Sequence, residues 1–219
     1  MRFGVISDVH ANRVALEAVL DDMPPVEAVV CAGDVVGYNP WPKACIERVR
    51  EEDITTIQGN HDRAVAQETD FAFNGMAAAG VEHAREQLGP GELDWLGDLP
   101  TERLVADDRL KLVHGHPDDP DRYTYPRDFS PALLGDEEVL VLGHTHDQHV
   151  AEFAEGTVLN PGSVGQPRDG DPDAAYAVVD LEEGTVDLHR VAYDVEAVVA
   201  AVAEAGLPER IGTRLRDGR

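Results

Sequence analysis

The sequence contains little cysteine and no long apolar run. Cys31 and Cys45 are the only cysteines among 219 residues, and we expect two buried thiols rather than a disulfide. No apolar stretch approaches the roughly 20 residues that span a bilayer. The chain also goes from Met1 directly into an apolar strand pattern, with no signal-peptide pattern. These absences predict a soluble protein of the reducing cytoplasm, without a membrane partner.

Basic residues are scarce as well. The chain has 18 basic and 43 acidic residues, a formal net charge of −25, and its only lysines are Lys43 and Lys111. Such a charge opposes non-specific binding to DNA or to an anionic membrane, so it disfavours nucleic acid as a partner. The acidic residues are spread along the chain, which predicts an acidic, halophile-like surface whose self-repulsion is screened at high ionic strength.

The order of the apolar runs indicates a single α/β domain over residues 1–219. Strand-like runs at 2–6, 26–31 and 54–57 alternate with helical patterns at 12–23 and 40–52. This βαβαβ order predicts a mostly parallel sheet with right-handed crossovers.

The second half of the chain changes to shorter strands. Helical patterns at 74–88 and 91–96 precede a polar loop at 118–128 that contains Tyr123 and Tyr125. The predicted strands lie at 103–106, 110–113, 139–142, 150–153, 157–159, 175–179 and 185–191. A closing helix at 194–205 precedes an Arg-rich tail at 209–219, for which we predict fraying.

Side chains that bind metals follow five of the predicted strands. They are Asp8 and His10, Asp34, Asn60 and His61, His114, and His144 and His146. In α/β sheets the functional crevice lies beyond the carboxyl ends of the strands, so these residues are expected to converge. Nitrogen and oxygen ligands without a thiolate suit Mn, Fe, Ni, Co or Zn. Seven ligands can hold two ions if one carboxylate bridges them, and two ions favour displacement at phosphorus.

Gly59–Asp62 carries the most informative of these residues. It follows a short β-branched run, so we predict a strand-end loop in which Gly59 permits a tight turn. The amide oxygen of Asn60 can bind a metal ion, and His61 can hold a proton near neutral pH.

The strand exits resemble the motif blocks of the calcineurin-like metallophosphoesterases. The blocks are Asp8-Val9-His10, Gly33-Asp34, Gly59-Asn60-His61-Asp62, His114-Gly115 and Gly143-His144-Thr145-His146. The run from Asn160 to Arg168 is similar to the small single-domain bacterial and archaeal phosphatases and phosphodiesterases of that family. The resemblance implies a four-layer αββα sandwich of two mixed β-sheets flanked by helices.

The resemblance also implies a role for each polar residue. It assigns two sets of metal ligands, namely Asp8, His10, Asp34 and His146 for one ion, and Asp34, Asn60, His114 and His144 for the other. Asp34 is then the bridging ligand. His61 is the catalytic residue, a general acid or a stabiliser of the leaving oxygen, and Asp62 supports the ligands from behind.

Residues beside the motifs provide possible substrate contacts. Arg168 is predicted to bind a phosphate oxygen, because a guanidinium fits the edge of a phosphate. Asn12 is predicted as a second substrate contact, although it also suits the N-cap of the helix that follows. His116 lies beside the motifs too, where an ordinary loop histidine is an equal alternative.

One departure from the family pattern narrows the function. The phosphoprotein phosphatases of the family follow Gly-Asp with another Asp and then Arg-Gly. Here Gly33-Asp34 continues into the largely apolar run 35–40. A Ser/Thr protein phosphatase of that type is therefore disfavoured.

We therefore predict a dinuclear metal-dependent phosphoesterase. It would hydrolyse small phosphodiesters or phosphomonoesters by attack of a metal-bound hydroxide on phosphorus, with Mn²⁺ as the first metal to test. The alternative from another class is a non-catalytic scaffold on the same fold, which would not need His61 or a full set of ligands. A nucleic-acid-processing enzyme is a further alternative that the charge disfavours. The sequence leaves a homo-oligomer open.

Overall fold

The computed structural model describes residues 1–67 and 73–219, which form two five-stranded mixed sheets. The first sheet contains β1 (Arg2–Ile6), β2 (Ala28–Cys31), β3 (Thr55–Thr56), β9 (Ala174–Asp180) and β10 (Thr185–Val191). Its strand order is β10-β9-β1-β2-β3. β1, β2 and β3 are parallel, whereas β9 is antiparallel to both of its neighbours. The predicted βαβαβ unit is therefore confirmed, and a C-terminal hairpin extends it.

The second sheet is built from the middle of the chain. It contains β4 (Glu102–Val105), β5 (Leu110–Val113), β6 (Val139–Val141), β7 (His149–Glu152) and β8 (Thr157–Asn160), in the order β4-β5-β6-β8-β7. Its three central strands are parallel, and each edge strand is antiparallel to its neighbour. The short hairpins predicted for the second half thus lie in different sheets, β7–β8 here and β9–β10 in the first.

The inner faces of the two sheets pack against each other. Val5 and Val30 of the first sheet belong to one buried cluster with Leu112, Val141 and Leu159 of the second. Burying an aliphatic side chain of this size stabilises a protein by roughly 1.5–3 kcal/mol. This shared core holds the two sheets face to face and thereby fixes where their strand ends lie.

Helices cover the outer face of the first sheet. They are α1 (Arg13–Asp22), α2 (Pro42–Glu51), α3 (Asn60–Ala66), α4 (Gly75–Gln87), α5 (Pro90–Asp98), α6 (Val195–Glu204) and α7 (Arg210–Thr213). Leu16 of α1 and Ile46 of α2 are fully buried in one cluster with Ile6 of β1. None of the helices in the described part of the chain is long and apolar enough to cross a membrane.

The outer face of the second sheet has a thinner cover. Two 3-10 turns, Pro126–Asp128 and Pro131–Leu133, cross it, and Phe129 and Leu134 pack there on Leu140. The layers confirm the predicted αββα sandwich, with one helical layer replaced largely by these turns.

Gly59–Asp62 is not only a loop, and that prediction was wrong in part. Gly59 is the N-cap of α3, and Asn60 is already its first residue. The carboxylate of Asp62 accepts a hydrogen bond from the backbone N–H of Gly59 at 3.0 Å, which is one of the two hydrogen bonds of a capping box. The same polar residues that suggested a loop therefore start a helix.

The C-terminal tail is ordered, so the predicted fraying is wrong. Ile211 in α7 and Leu215 in the 3-10 turn that follows are both fully buried, in one cluster with Val198 and Val202 of α6. The spacing of Ile211 and Leu215 places them on one helical face. That apolar pair was hidden among the arginines of the tail.

The two cysteines agree with expectation. Cys31 and Cys45 are both buried and unpaired. Burial raises the pKa of each thiol well above its ordinary value, so both behave as small apolar side chains.

Candidate metal centre

The predicted ligands converge where the parallel strands of both sheets end. Three groups of buried side chains offer one ligand atom each within 4.8 Å of one another, namely Asp8, His10 and His146; Asp34, His114 and His144; and His10, Asp34 and His61. We call Asp8, His10 and His146 the first ligand group. We call Asp34, His114 and His144, together with Asn60, the second ligand group.

Most of these residues have an unusual backbone conformation. Positive φ angles occur at Asp8 (54°), His10 (46°), Asp34 (56°), His144 (66°) and His146 (60°). A non-glycine residue in this left-handed region costs on the order of 1–3 kcal/mol and persists only where its surroundings fix it. Such strain clusters at functional sites, and here it occurs at five residues that follow three strands, β1, β2 and β6.

The first ligand group places three electron-rich atoms face to face. Nδ1 of His10 donates to the carbonyl oxygen of Val36 at 3.1 Å, and Nδ1 of His146 donates to that of Gln166 at 2.5 Å. A carbonyl oxygen can only accept, so each Nε2 is left with a lone pair. The two Nε2 atoms lie 3.1 Å apart, and Oδ1 of Asp8 lies 3.1 Å from the Nε2 of His146.

No hydrogen explains this convergence. Burial lowers the pKa of His10 and of His146, so both rings are neutral at pH 7. Among the described residues Oδ1 of Asp8 has no hydrogen-bond partner although it is buried. Three lone pairs that point at one another without a proton repel, whereas a cation between them would bind all three. The donor set therefore fits a divalent metal ion.

The second ligand group has a similar arrangement around His114. Its Nδ1 donates to the carbonyl oxygen of Ala32 at 2.7 Å. Its Nε2 lies 3.1 Å from Oδ1 of Asn60 and 3.4 Å from Oδ2 of Asp34. Burial alone would lower the pKa of His114, but the Asp34 carboxylate outweighs it and raises that pKa to about 10. A proton or a metal ion can thus occupy the space between these three residues.

His144 completes the second ligand group from the rim. Its Nε2 lies 3.2 Å from the carbonyl oxygen of Asp121 and donates to it, which leaves Nδ1 as the nitrogen that could bind a metal ion. Burial lowers the pKa of His144 to about 3. The ring of Tyr123 stacks on the imidazole, with centroids 3.9 Å apart and planes 26° apart. The 118–128 loop therefore overhangs the centre.

Asp34 lies between the two groups. Its Oδ2 is 3.7 Å from Nε2 of His10 and 3.4 Å from Nε2 of His114, so one oxygen faces both groups as a bridging ligand would. Its Oδ1 accepts the backbone N–H of His61 at 2.8 Å.

Asp62 fixes the backbone around Asp34 through hydrogen bonds. Its carboxylate accepts the N–H groups of Asp34 at 2.8 Å and Val36 at 3.1 Å, in addition to that of Gly59. Burial, together with the charge of Asp34, raises the pKa of Asp62 to about 7. Asp62 thus fixes the backbone at Asp34, Val36 and Gly59, and its role in support of the metal ligands stays a prediction.

His61 lines the cleft beside the ligands. Its ring lies 4.7 Å from those of Tyr38 and Phe73, and burial lowers its pKa to about 4. Nδ1 is buried and has no hydrogen-bond partner among the described residues. It lies against Gly37, where any Cβ would approach it to 2.4 Å. Nε2 is thus the nitrogen left to meet a substrate.

The cleft above the ligands has a volume of about 100 Å³. A single water needs only about 10–15 Å³ of such space, so the cleft has room for a larger group. Arg168 and Tyr38 form part of its wall, and Nη2 of Arg168 donates to the Tyr38 hydroxyl at 3.3 Å. Sequence reasoning missed Phe73 and Asn74, which also line the cleft and carry no recognisable motif.

Two further residues near the motifs do not line the cleft. Oδ1 of Asn12 caps α1 by accepting from the N–H of Ala15, and its Nδ2 donates to the carbonyl of Gly165. These contacts explain Asn12 as a helix cap, and its role as a substrate contact stays a prediction without support from them. Nδ1 of His116 accepts from the N–H of Asp118 at 3.0 Å, which is ordinary loop structure.

Comparison with known proteins agrees with this geometry. The family model described as the calcineurin-like phosphoesterase superfamily domain matches residues 1–184. The crystal structure of a metallophosphoesterase from Sphaerobacter thermophilus is 36% identical, with a TM-score of 0.87 and 100% of both chains covered. An uncharacterized protein of Methanocaldococcus jannaschii is 32% identical over 98% of this chain and 97% of its own length. Phosphodiesterase YfcE of Escherichia coli K12 is 28% identical over 93% of this chain and 98% of its own. The chain therefore belongs to the calcineurin-like phosphoesterase superfamily.

Proposed function

We propose that the protein is a phosphoesterase that works with two divalent metal ions. The observation that carries the proposal is the convergence of lone pairs in the first ligand group, where two Nε2 atoms and a carboxylate oxygen meet without a hydrogen. A scaffold protein would have no reason to keep this repulsive arrangement. A complete second ligand group beside it supports two ions rather than one.

The residues divide between the two ions as follows. Asp8, His10 and His146 would hold the first ion, and Asn60, His114 and His144 the second, with Asp34 shared between them. The oxygen and nitrogen donors suit Mn²⁺ as the first choice, and Fe, Ni, Co or Zn as alternatives. When bound, two such ions would supply an activated water and neutralise charge on the phosphate.

His61 would act on the leaving group. A pKa of about 4 makes the ring neutral at pH 7, so it would donate a hydrogen bond from Nε2 to the departing oxygen rather than present a cation. Close packing of the ring against Gly37 restricts its rotation. Arg168 at the wall of the cleft would bind a phosphate oxygen, and Gln166 and Tyr38 hold its guanidinium in place.

Small aryl or nucleotide phosphodiesters are the substrates we propose. Tyr123 at the mouth of the cleft is 48% exposed, so it can contact an aromatic ester group. The net charge of −25 opposes long polyanions such as nucleic acids. The name of the Escherichia coli relative, a phosphodiesterase, agrees with a diester.

Metal analysis followed by a substrate panel tests the proposal. Purified protein loaded with Mn²⁺ is assayed with an aryl phosphodiester, the matching aryl monoester, a dinucleotide polyphosphate and single-stranded DNA. We expect chelator-sensitive hydrolysis, fastest for the diester and negligible for DNA. The Asp34→Asn protein, purified identically, controls for contaminating phosphatases. Faster turnover of the monoester would overturn the ranking, and two bound ions without any hydrolysis would favour the scaffold.

A further inference from the structure

We propose that Arg63 and Asp121 form a latch that positions His144 for the second metal ion. The inference rests on the two-ion function proposed above. It assigns positioning roles to two residues outside the motif blocks, one on α3 and one in the 118–128 loop. Neither side chain belongs to the ligand groups.

The four histidines of the two ligand groups differ in what holds their side chains in place. Each donates its second ring nitrogen to a backbone carbonyl, which fixes its tautomer and orientation. For His10, His114 and His146 that carbonyl belongs to a buried residue, respectively Val36, Ala32 and Gln166. His144 alone among them depends on Asp121, a residue of a surface loop whose side chain is 39% exposed. The orientation of His144 is therefore only as fixed as this loop.

Arg63 holds Asp121 in place. Its Nη2 lies 2.5 Å from Oδ1 of Asp121, and its own side chain is only 18% exposed. Arg63 lies on α3, one helical turn after Asn60 of the second ligand group. The ion pair thus connects the helix that supplies one ligand of the second ion to the loop that orients another.

The rest of the loop has its own anchor. Oγ1 of Thr124 donates to the carbonyl oxygen of Gly115 at 2.8 Å. The loop lies so close to Gly115 that a Cβ there would approach the carbonyl oxygen of Pro120 to 2.5 Å. Arg122 packs on Gly115 in the same way, so loss of the latch should leave the loop seated and loosen only Asp121 itself.

The expected loss of metal affinity is modest, because the ion pair acts on His144 only through Asp121. A partly exposed ion pair contributes little to folding stability, so its main effect should be on the geometry of His144. Loss of a direct hydrogen-bond partner of a metal-binding histidine typically costs about 10–100-fold in metal affinity. The latch acts one step further out, so we expect about 10-fold, the lower end of that range.

Arg63→Met, Asp121→Ala and the double variant test the latch. Each removes the charge pair but keeps the backbone carbonyl of Asp121. Arg48→Met is the matched control, because it removes an ion pair of 2.6 Å between Arg48 of α2 and Glu52, the residue after that helix, away from the cleft. The measurements are the Mn²⁺ affinities of both ions by chelator competition and, in the metal-free protein, the exchange rate of the His144 Nε2–H by NMR.

We expect each single variant to weaken the second ion about 10-fold, to leave the first unchanged and to speed Nε2–H exchange. The double variant should bind the second ion no more weakly than either single variant does, because the two substitutions remove the same interaction. Unchanged affinities, equal weakening of both ions, or additive losses overturn the latch.

The latch and the proposed function fail in different ways. Selective weakening of the second ion in a protein that hydrolyses no phosphoester would support the latch and refute the function. Normal hydrolysis together with unchanged Mn²⁺ affinities in all variants would support the function and refute the latch. A wild-type protein that binds a single ion would refute both.

Discussion

Asp34 faces histidines of both ligand groups, but the two groups differ in what holds those histidines. In the first group, His10 and His146 donate to carbonyls of buried residues. In the second group, His144 is held by the carbonyl of Asp121 in a surface loop and by the exposed ring of Tyr123. The geometry of the first group is therefore fixed by the packed strand ends, whereas that of the second depends also on the loop. We expect the first ion to bind more tightly than the second.

Asp34→Asn is the change with the largest expected effect, because it breaks both groups at once. It removes a negative charge from the one oxygen that faces His10 and His114. We expect loss of both ions and of turnover, measured by metal stoichiometry and by diester hydrolysis. Asp53→Asn is a suitable control, since Asp53 has the same left-handed backbone (φ 51°) at an exposed site. Two tightly bound ions with normal turnover would exclude Asp34 as the bridge.

His61→Ala separates chemistry from metal binding, and its expected effect is the next largest. A group that interacts with the leaving oxygen contributes typically about 10²–10⁴-fold to the rate. We expect turnover to fall by that factor while both ions stay bound. His116→Ala, which changes another buried histidine outside the cleft, should leave turnover unchanged. Because a ring nitrogen of His61 lies within 4.8 Å of His10 and Asp34, loss of an ion would identify it as a ligand instead.

The positions of the candidate ligands could largely be predicted from the sequence, whereas the start of α3 and the ordered C-terminal tail could not. Most of the candidate metal ligands follow β-branched or apolar runs, so their place at the strand exits could be derived from the pattern alone. The start of α3 at Asn60 could not, because a capping box and a polar loop use the same residue types. The ordered structure of the C-terminal tail could not be predicted either, because Ile211 and Leu215 are two isolated apolar residues among arginines.

The support of the second ligand group was the least predictable part. It depends on the backbone carbonyl of Asp121, and a backbone carbonyl has no sequence signature. The partners Arg63 and Asp121 are 58 residues apart, and no periodicity connects them. Their contact is visible only in the folded structure, where α3 packs beside the 118–128 loop.

The pH dependence of metal binding should sharpen the difference between the groups. His114, with a pKa raised to about 10, is protonated at pH 7 in the metal-free protein, and a metal ion must displace that proton. The second ion should therefore bind about 10-fold more tightly for each unit by which pH rises between 7 and 9. His10 and His146 are already neutral because burial lowers their pKa values, so the first ion should show no such dependence.

Calorimetry in buffers of different ionisation enthalpy measures this directly. We expect about one proton released with the second ion and none with the first. His144 should not contribute, since burial lowers its pKa to about 3. Equal proton release for both ions would show that the two groups titrate alike and would remove this distinction between them.

The smallest expected effect concerns the acidic surface rather than the centre. With 43 acidic and 18 basic residues, self-repulsion should oppose folding at low salt. The Debye length falls from about 10 Å at 0.1 M to about 3 Å at 1 M, so added salt should screen exposed charges far more than the buried ligand groups. We expect Tm to rise by several degrees between these concentrations, with NaCl and KCl alike. For a chain of this size roughly 2–4 °C corresponds to about 1 kcal/mol. Melting curves of metal-free and Mn²⁺-saturated protein should show the same rise. A rise confined to the saturated protein would mean that salt acts through the centre, and a flat profile in both would exclude salt adaptation of this surface.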